Sequence, residues 1–311
     1  MNRRKFIETS VVSGAAMSVI PMLECNQGFP RRLLGRTGVS LPIIGFGGIL
    51  VMNAEQKAAN DLVAAAFNAG LNYFDVAPTY GNAQDRLGPA LKPYRKDSFL
   101  ACKTTERKKE AAQKEFDESL RKLQTDHFDL YQLHSLSTLE DVETAFAADG
   151  VMEVLVKARE QGKVRFLGFS AHSEQAALAA LEKFDFDTVL FPINFVCWLE
   201  GDFGPRLVEK AKSRDMGILA LKSLALRRLN PGEKSGYDKC WYRPIEEEET
   251  AMLALRFTLS QGVTAAIPPG EAVFFHQAVR IAGQYEPLSE AEWEKLRSAA
   301  KGLTPVFSNH A

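Results

Sequence analysis

The sequence of 311 residues contains few of the groups that build metal centres or charged binding surfaces. Its four cysteines, Cys25, Cys102, Cys197 and Cys240, form no CxxC or other metal-ligand spacing, so we expect no metal site. The formal net charge is -1, and the basic residues are scattered, which argues against nucleic acid or an acidic membrane as a partner. No apolar run is followed by a GxGxxG phosphate loop, which disfavours a doubly wound dinucleotide-binding sheet.

The first residues differ in character from the rest of the chain. Asn2, Arg3, Arg4 and Lys5 form a basic start, followed by a mildly apolar stretch from Ser10 to Leu23 that is too short to span a membrane as a helix. We interpret residues 1–27 as a twin-arginine-like signal peptide and residues 28–311 as one domain. This predicts a periplasmic or cell-envelope protein without stable membrane insertion, and a basic cytoplasmic tail is the alternative.

From residue 29 onward, short apolar runs alternate with helical patterns, as βα units do. We expect strands to begin near Ile43, Asn72, Ser98, Phe128, Val164, Thr188, Gly217 and Val263. Eight such units predict an α/β fold, a (β/α)8 TIM barrel. The segment from Arg31 to Gly38 is predicted to be a hairpin that plugs the bottom of the barrel.

Polar residues stand at the carboxyl ends of the predicted strands, where barrels of this kind build their active sites. They are Asp75, Lys103, His134, Ser170, Asn194 and Lys222. Charged groups at neighbouring strand ends avoid a large burial cost by pairing. We expect Asp75 to hold Lys103, and the ammonium of Lys103 to lower the pKa of a nearby tyrosine such as Tyr80.

Three motifs are similar to those of the aldo-keto reductases. Residues 72–81 read NYFDVAPTYG, residues 102–104 read CKT, and residues 129–134 read DLYQLH. The resemblance extends from Arg31 to the last helix. It implies a catalytic tetrad of Asp75, Tyr80, Lys103 and His134, in which Tyr80 is the general acid in reduction and the base in oxidation, while His134 donates a hydrogen bond to the substrate oxygen.

The cofactor side of the resemblance contains departures. The segment GFSAH stands where the family usually has GVSN, the carboxamide-binding glutamine is replaced by Leu190, and Lys222 occupies the position of the nicotinamide-stacking tyrosine. Asn194 is a candidate substitute for the glutamine, and Arg227 for a pyrophosphate contact. The residues that the resemblance implies for NAD or NADP are Gly47, Asp75, Ser170, Asn194, Lys222, Ser223, Leu224, Arg227 and Gly270.

The function implied is hydride transfer between NAD(P) and a carbonyl or secondary alcohol on a small polar, possibly sugar-like substrate. A noncatalytic nicotinamide-binding partner protein is the alternative. NAD is slightly favoured, because the positions that bind the 2′-phosphate in the family fall on Pro269, Gly270 and Phe275, beside Glu271. If the protein is exported, we expect its cofactor to stay bound through turnover. If the N-terminal signal is not used, we expect a conventional reductase that releases its cofactor after each turnover. Sequence does not fix the oligomeric state, and we expect a monomer.

Overall fold

Eight parallel strands follow one another around a barrel in the computed structural model, which describes residues 29–310. The predicted signal peptide lies outside the described residues. The barrel strands are β3 (Phe46–Gly47), β4 (Tyr73–Asp75), β5 (Phe99–Thr104), β6 (Phe128–Leu136), β7 (Val164–Ala171), β8 (Thr188–Pro192), β9 (Gly217–Leu221) and β12 (Ala265–Ile267). All eight predicted strands are present, and their order in the sheet follows the chain.

Backbone hydrogen bonds between the first and last strands close the barrel. Ile44 forms a parallel bridge with Ala266. The N–H of Gly45 donates to the carbonyl of Ala266 at 3.0 Å, and the N–H of Ala266 donates to Ile43 at 2.9 Å. The closed (β/α)8 barrel predicted from the sequence is therefore confirmed.

Helices surround the barrel, and several begin at side-chain caps. Thr138 and Ser289 each form a capping box with the acidic residue three positions later, which satisfies backbone donors at the helix start. The α-helices of residues 29–310 are α1 (Gln56–Asn68), α2 (Ala83–Leu91), α3 (Lys109–Leu123), α4 (Leu139–Ala145), α5 (Met152–Glu160), α6 (Glu174–Lys183), α7 (Phe195–Leu199), α8 (Pro205–Ser213), α9 (Glu248–Ser260), α10 (Ala272–Ala282) and α11 (Glu290–Ala300).

A hairpin covers the end of the barrel at which the strands begin. Its strands β1 (Arg31–Leu33) and β2 (Ser40–Pro42) are antiparallel. Arg32 donates to the carbonyl of Val263 at 2.7 Å, just before β12. The predicted plug is present, but its return strand lies beyond the predicted end at Gly38, because a 3-10 turn and a left-handed Gly38 intervene.

The side chains inside the barrel are apolar near the hairpin and polar near the mouth. Leu34 of the hairpin packs with Tyr73, Phe99, Leu130 and Leu219 in one buried cluster. Further along the same strands, inward positions carry the charged and polar groups of the site. The hairpin and the apolar layer thus exclude water at the end of the barrel where the strands begin. The site opens at the other end, at the carboxyl ends of the strands.

Cys102, Cys197 and Cys240 are buried and free. As expected from strand alternation, Cys102 packs in the cluster between barrel and helices, while the adjacent Lys103 points inward. No helix within residues 29–310 is long and apolar enough to cross a membrane. The same residues contain no group of three or more His, Cys, Asp or Glu arranged to hold a metal ion.

A polar site at the mouth of the barrel

Asp75 and Lys103 form a buried ion pair at the ends of neighbouring strands. Lys103 Nζ donates to Asp75 Oδ1 and also lies 3.4 Å from the carbonyl of Val76. The hydroxyl of Tyr73 donates to Asp75 Oδ2 at 3.4 Å. Burial raises the pKa of Asp75, and the ammonium of Lys103 partly opposes that rise. The predicted pairing of these two residues is present.

Tyr80 lies above this pair, in the loop after β4. Lys103 Nζ is 5.9 Å from the centre of its ring. Burial raises the pKa of Tyr80, and the negative charge of Asp75 raises it further. This differs from the expectation that Lys103 lowers the pKa of Tyr80. The physical reason is that the charge of Lys103 is neutralised by Asp75 while the phenol itself is desolvated.

His134 meets Tyr80 edge to face, with ring centres 6.0 Å apart. Its pKa is lowered to about 3 by burial, with a smaller effect from the charge of Lys103, so the imidazole is neutral at physiological pH. Its Nδ1 atom is buried without a hydrogen-bond partner among the described residues. A nitrogen with no acceptor is best left as the lone pair, which places the proton on Nε2.

Ser170 and His172 surround the turn that follows His134. Ser170 Oγ accepts a hydrogen bond of 2.8 Å from the N–H of Ser135, whose φ of 58° is left-handed. Ser135 Oγ lies 2.9 Å from His172 Nδ1. Ser170 retains its own hydroxyl proton and could still donate it to a ligand. Its contact with Ser135, which the sequence did not indicate, holds the strand end that carries His134.

Asn194, the candidate for a carboxamide contact, follows β8 and caps a helix, while Leu190, which replaces the glutamine, lies on β8. Asn194 is 1% exposed, and its Oδ1 accepts the N–H of Cys197 at 2.9 Å as the N-cap of α7. Its Nδ2 faces Cys197 Sγ at 3.3 Å. Leu190 belongs to the apolar layer inside the barrel. Asn194 is therefore not available as a substitute for glutamine unless it releases the helix cap.

Lys222 directly follows β9 in a left-handed conformation, with φ of 67°. Its ammonium lies 5.1 Å from the ring centre of Trp241 and 4.9 Å from that of Tyr242. Burial lowers its pKa to about 8. Because it follows a barrel strand, Lys222 stands at the same mouth as the predicted tetrad, and its charge contributes to the lowered pKa values of His134 and His172.

Two other predicted cofactor contacts in this loop already have partners. Arg227 forms a bidentate pair with Glu233, with both contacts at 2.8 Å, so it would have to leave Glu233 to bind a pyrophosphate. Leu224 is buried and its carbonyl accepts the N–H of Ile245 at 2.9 Å. Ser223, by contrast, is buried with a hydroxyl that has no partner among the described residues, and it remains a candidate donor.

A segment that the sequence did not single out covers the last candidate, Gly270. This segment, here called the strap, comprises residues 228–242 between β10 (Ala225–Arg227) and β11 (Arg243–Pro244). Lys239 Nζ donates to the carbonyl of Leu50 at 2.9 Å, and its N–H donates to Glu271 at 3.0 Å. A Cβ on Gly270 would lie 3.2 Å from Lys239 Cβ. A cationic residue, Lys239, therefore lies beside Gly270.

Gly47 ends β3 beside Asp75, and a Cβ there would lie 3.0 Å from Ile267 Cγ2. Arg280, on α10 after the loop of Gly270, pairs with Glu248 at 2.7 Å. The mouth therefore brings together Asp75, Tyr80, Lys103, His134, Ser170 and Lys222, whereas Asn194 and Arg227 are engaged elsewhere.

The chain is similar to known proteins of one family. The model of the aldo/keto reductase family matches residues 44–301. L-galactose dehydrogenase from Arabidopsis thaliana is 27% identical over 213 residues, which cover 63% of this chain and 65% of that protein. Aldo-keto reductase family 1 member C21 from Mus musculus is 24% identical over 257 residues, covering 73% of this chain and 78% of that protein.

Solved structures share the fold. The aldo-keto reductase AKR11C1 from Bacillus halodurans, in its holo form, superposes with a TM-score of 0.69 at 21% identity. The superposition covers 89% of this chain and 98% of that chain. At this identity the likeness shows the barrel, and the chemistry depends on the residues at its mouth.

Proposed function

Because the chain belongs to the aldo/keto reductase family of NAD(P)-dependent oxidoreductases, we propose that it moves hydride between nicotinamide and a small, sugar-like carbonyl or secondary alcohol. The observation that carries this proposal is the buried Asp75–Lys103 pair beneath Tyr80 and His134. The relative from Arabidopsis thaliana is an L-galactose dehydrogenase, which supports a sugar-like substrate.

The roles follow from the protonation states. The raised pKa of Tyr80 keeps its phenol protonated, so it has a proton to give to the carbonyl oxygen in reduction. Neutral His134 donates one N–H to the same oxygen and fixes its position. Asp75 anchors Lys103, whose ammonium is the cation nearest to the phenolate that Tyr80 leaves behind. Together these residues move one proton and orient the substrate.

A bound nicotinamide cofactor would supply the hydride. Some of the residues at the mouth are suited to bind it. The unpartnered buried hydroxyl of Ser223 and the available proton of Ser170 are donors that suit a nucleotide. The space beside Gly47 and Gly270 is filled by Ile267 and by Ile49 and Lys239, so these glycines allow close packing of the chain. We propose that NAD binds at least as well as NADP, because the carboxylate of Glu271 beside Gly270 would repel the 2′-phosphate of NADP. The ammonium of Lys239 would attract that phosphate and so acts in the opposite direction. Calorimetry with both dinucleotides tests this, and a clear preference for NADP would refute it.

A substrate panel tests the activity itself. Purified protein is incubated with NAD or NADP and small polyols or aldoses, and separately with the reduced dinucleotides and the oxidised forms of these sugars, and absorbance is followed at the band of reduced nicotinamide. We expect this absorbance to rise when at least one alcohol is oxidised and to fall when at least one carbonyl compound is reduced. Tight dinucleotide binding without turnover of any substrate would instead support the noncatalytic alternative.

We further propose that the chain is exported and keeps its cofactor through turnover. A cell envelope has no pool of reduced nicotinamide to recharge a released cofactor, and twin-arginine export carries folded proteins. The strap supports the proposal, because Lys239 joins it to Leu50 and Glu271 across the loops beside Gly270. Protein purified from the envelope fraction should retain nicotinamide after extensive dialysis. A cofactor-free protein that is fully reactivated by micromolar NAD or NADP would support a conventional reductase.

A further inference from the structure

Lys222 carries a positive charge that no group among the described residues balances. Within residues 29–310 its ammonium takes part in no ion pair and donates no hydrogen bond, and its side-chain neighbours are the rings of Trp241 and Tyr242. Only thiols, Cys240 and Cys197, oppose the lowering of its pKa, and no carboxylate contributes. Burial raises the pKa of Cys240 to about 11 and also raises that of Cys197. Both thiols are therefore neutral at pH 7 and supply no counter-charge.

The remaining titratable groups that face Lys222 are also neutral. His134 and His172 have pKa values lowered to about 3 and about 4. Burial raises the pKa of Tyr242 well above its usual value. The other ammonium of the mouth, Lys103, is balanced by Asp75. The site thus carries one net positive charge on a half-buried ammonium, and a ligand of opposite charge would stabilise it.

The surroundings of this charge fit an organic anion. The rings of Trp241 and Tyr242 stabilise the ammonium by cation–π contact while leaving its hydrogens free to donate. Trp241 is 53% exposed and packs edge to face on Tyr242 and Phe307. Its open face offers a flat apolar platform of the kind on which the ring of a sugar packs.

We propose that Lys222 binds a carboxylate of the substrate, so that the chain acts on a sugar acid or similar hydroxy acid and its keto form. This inference rests on the proposed function. A phosphate of the dinucleotide is the other source of negative charge. Lys222 follows β9 and His134 lies near the carboxyl end of β6, so Lys222 stands at the same mouth as the residue proposed to hold the reacting oxygen. The pyrophosphate of a dinucleotide is separated from its nicotinamide by a ribose, so a substrate carboxylate fits this position better.

The test is a binding measurement, so its failure is separable from failure of the redox activity. Tryptophan fluorescence, to which the exposed Trp241 contributes, is followed during titration with two matched pairs, galacturonate against galactose and gluconate against glucitol, with and without NAD at pH 7. A charge-assisted hydrogen bond contributes ~1.5–3 kcal/mol, so we expect at least one acid to bind about 10- to 100-fold tighter than its neutral counterpart. Calorimetry repeats the titrations without relying on the fluorophore.

Lys222→Met should remove most of this preference while leaving the affinity for the neutral sugar and for NAD within a few-fold of the original. Lys234→Met is the matched control, because it removes an exposed lysine from the strap, and it should leave the preference intact. In the original chain the preference should decline as the pH rises above about 8, where Lys222 loses its proton. Equal binding of acids and neutral sugars, or a preference that survives in Lys222→Met, would overturn the proposal. So would a variant whose main defect is weaker NAD binding.

Discussion

The ammonium of Lys103 is hydrogen-bonded to the carboxylate of Asp75 inside the barrel, where the two side chains are 0% and 2% exposed. Removing one member of such a pair leaves the other as a buried, unpaired charge. The stability of the fold and the chemistry of the site are therefore linked through this contact.

Lys103→Met should lower the free energy of unfolding by ~3–5 kcal/mol, because it leaves the buried carboxylate of Asp75 without its ion-pair partner. The double variant Asp75→Asn with Lys103→Met should recover much of that loss and remain inactive. Chemical denaturation measures both. Lys109→Met, which breaks an exposed pair with Glu153, is the control and should cost less than about 1 kcal/mol. Equal losses for Lys103→Met and this control would contradict the assignment.

Tyr80→Phe removes one hydroxyl and should reduce turnover by ~100- to 10,000-fold, the range over which general acid-base steps contribute. Dinucleotide affinity measured by calorimetry should change little, since Tyr80 is assigned to the substrate oxygen. Tyr94→Phe, on a ring that stacks on Phe67 away from the mouth, should keep its activity. Near-normal turnover in Tyr80→Phe would remove Tyr80 from the mechanism.

Much of the barrel could be predicted because each strand is a short apolar run whose inward residues alternate with outward ones. The tetrad positions could be found for the same reason, since parallel strands bring their carboxyl ends to one mouth. Contacts across long chain separations could not be predicted. Lys239 meets Leu50 across 189 residues, and nothing in the composition of the strap indicates that partner.

Local signals could have corrected two other assignments. Asn194 precedes the short helix α7, and asparagine is a preferred N-cap, so its engagement with Cys197 was visible in the sequence. Glu233 follows Arg227 by six residues in a segment rich in turn-forming residues, which brings the two side chains together. The protonation state of Tyr80 could not be read from residue order, because it depends on how deeply the ring is buried.

Stability should fall between pH 6.5 and pH 5 because of two half-buried histidines, His134 and His172. Their pKa values are about 3 and about 4 in the folded chain, below the ordinary value of 6.5. The unfolded chain therefore takes up protons first as the pH falls, which favours unfolding. Each histidine should cost ~2 kcal/mol at pH 5. Denaturation across this range should show a flatter profile when His134 and His172 are both changed to Asn, and an unchanged slope would count against burial of the neutral imidazoles.

Gln132 is fully buried beneath the site, and neither atom of its amide has a partner among the described residues. An unsatisfied buried amide destabilises a fold by about 1–3 kcal/mol, so Gln132→Met should stabilise the protein by ~1–2 kcal/mol. Gln84 is the matched control, because its equally buried amide donates to Ser119 at 2.9 Å, and Gln84→Met should destabilise. Loss of stability in Gln132→Met would show that its amide is satisfied in solution.

Release of the dinucleotide should depend on Lys239. Its ammonium donates to the carbonyl of Leu50 and its N–H to Glu271, and these contacts tie the strap across the loops beside Gly270. Lys239→Ala removes the ammonium contact, and a hydrogen bond from a charged donor is worth ~1.5–3 kcal/mol. If the strap must open before the dinucleotide leaves, release should become about 10- to 100-fold faster.

Stopped-flow fluorescence of reduced nicotinamide measures that rate after mixing with an excess of the oxidised form. Lys234→Ala, on an exposed lysine of the same strap, should leave it unchanged. A release rate equal in Lys239→Ala and the original chain would show that the strap does not retain the cofactor.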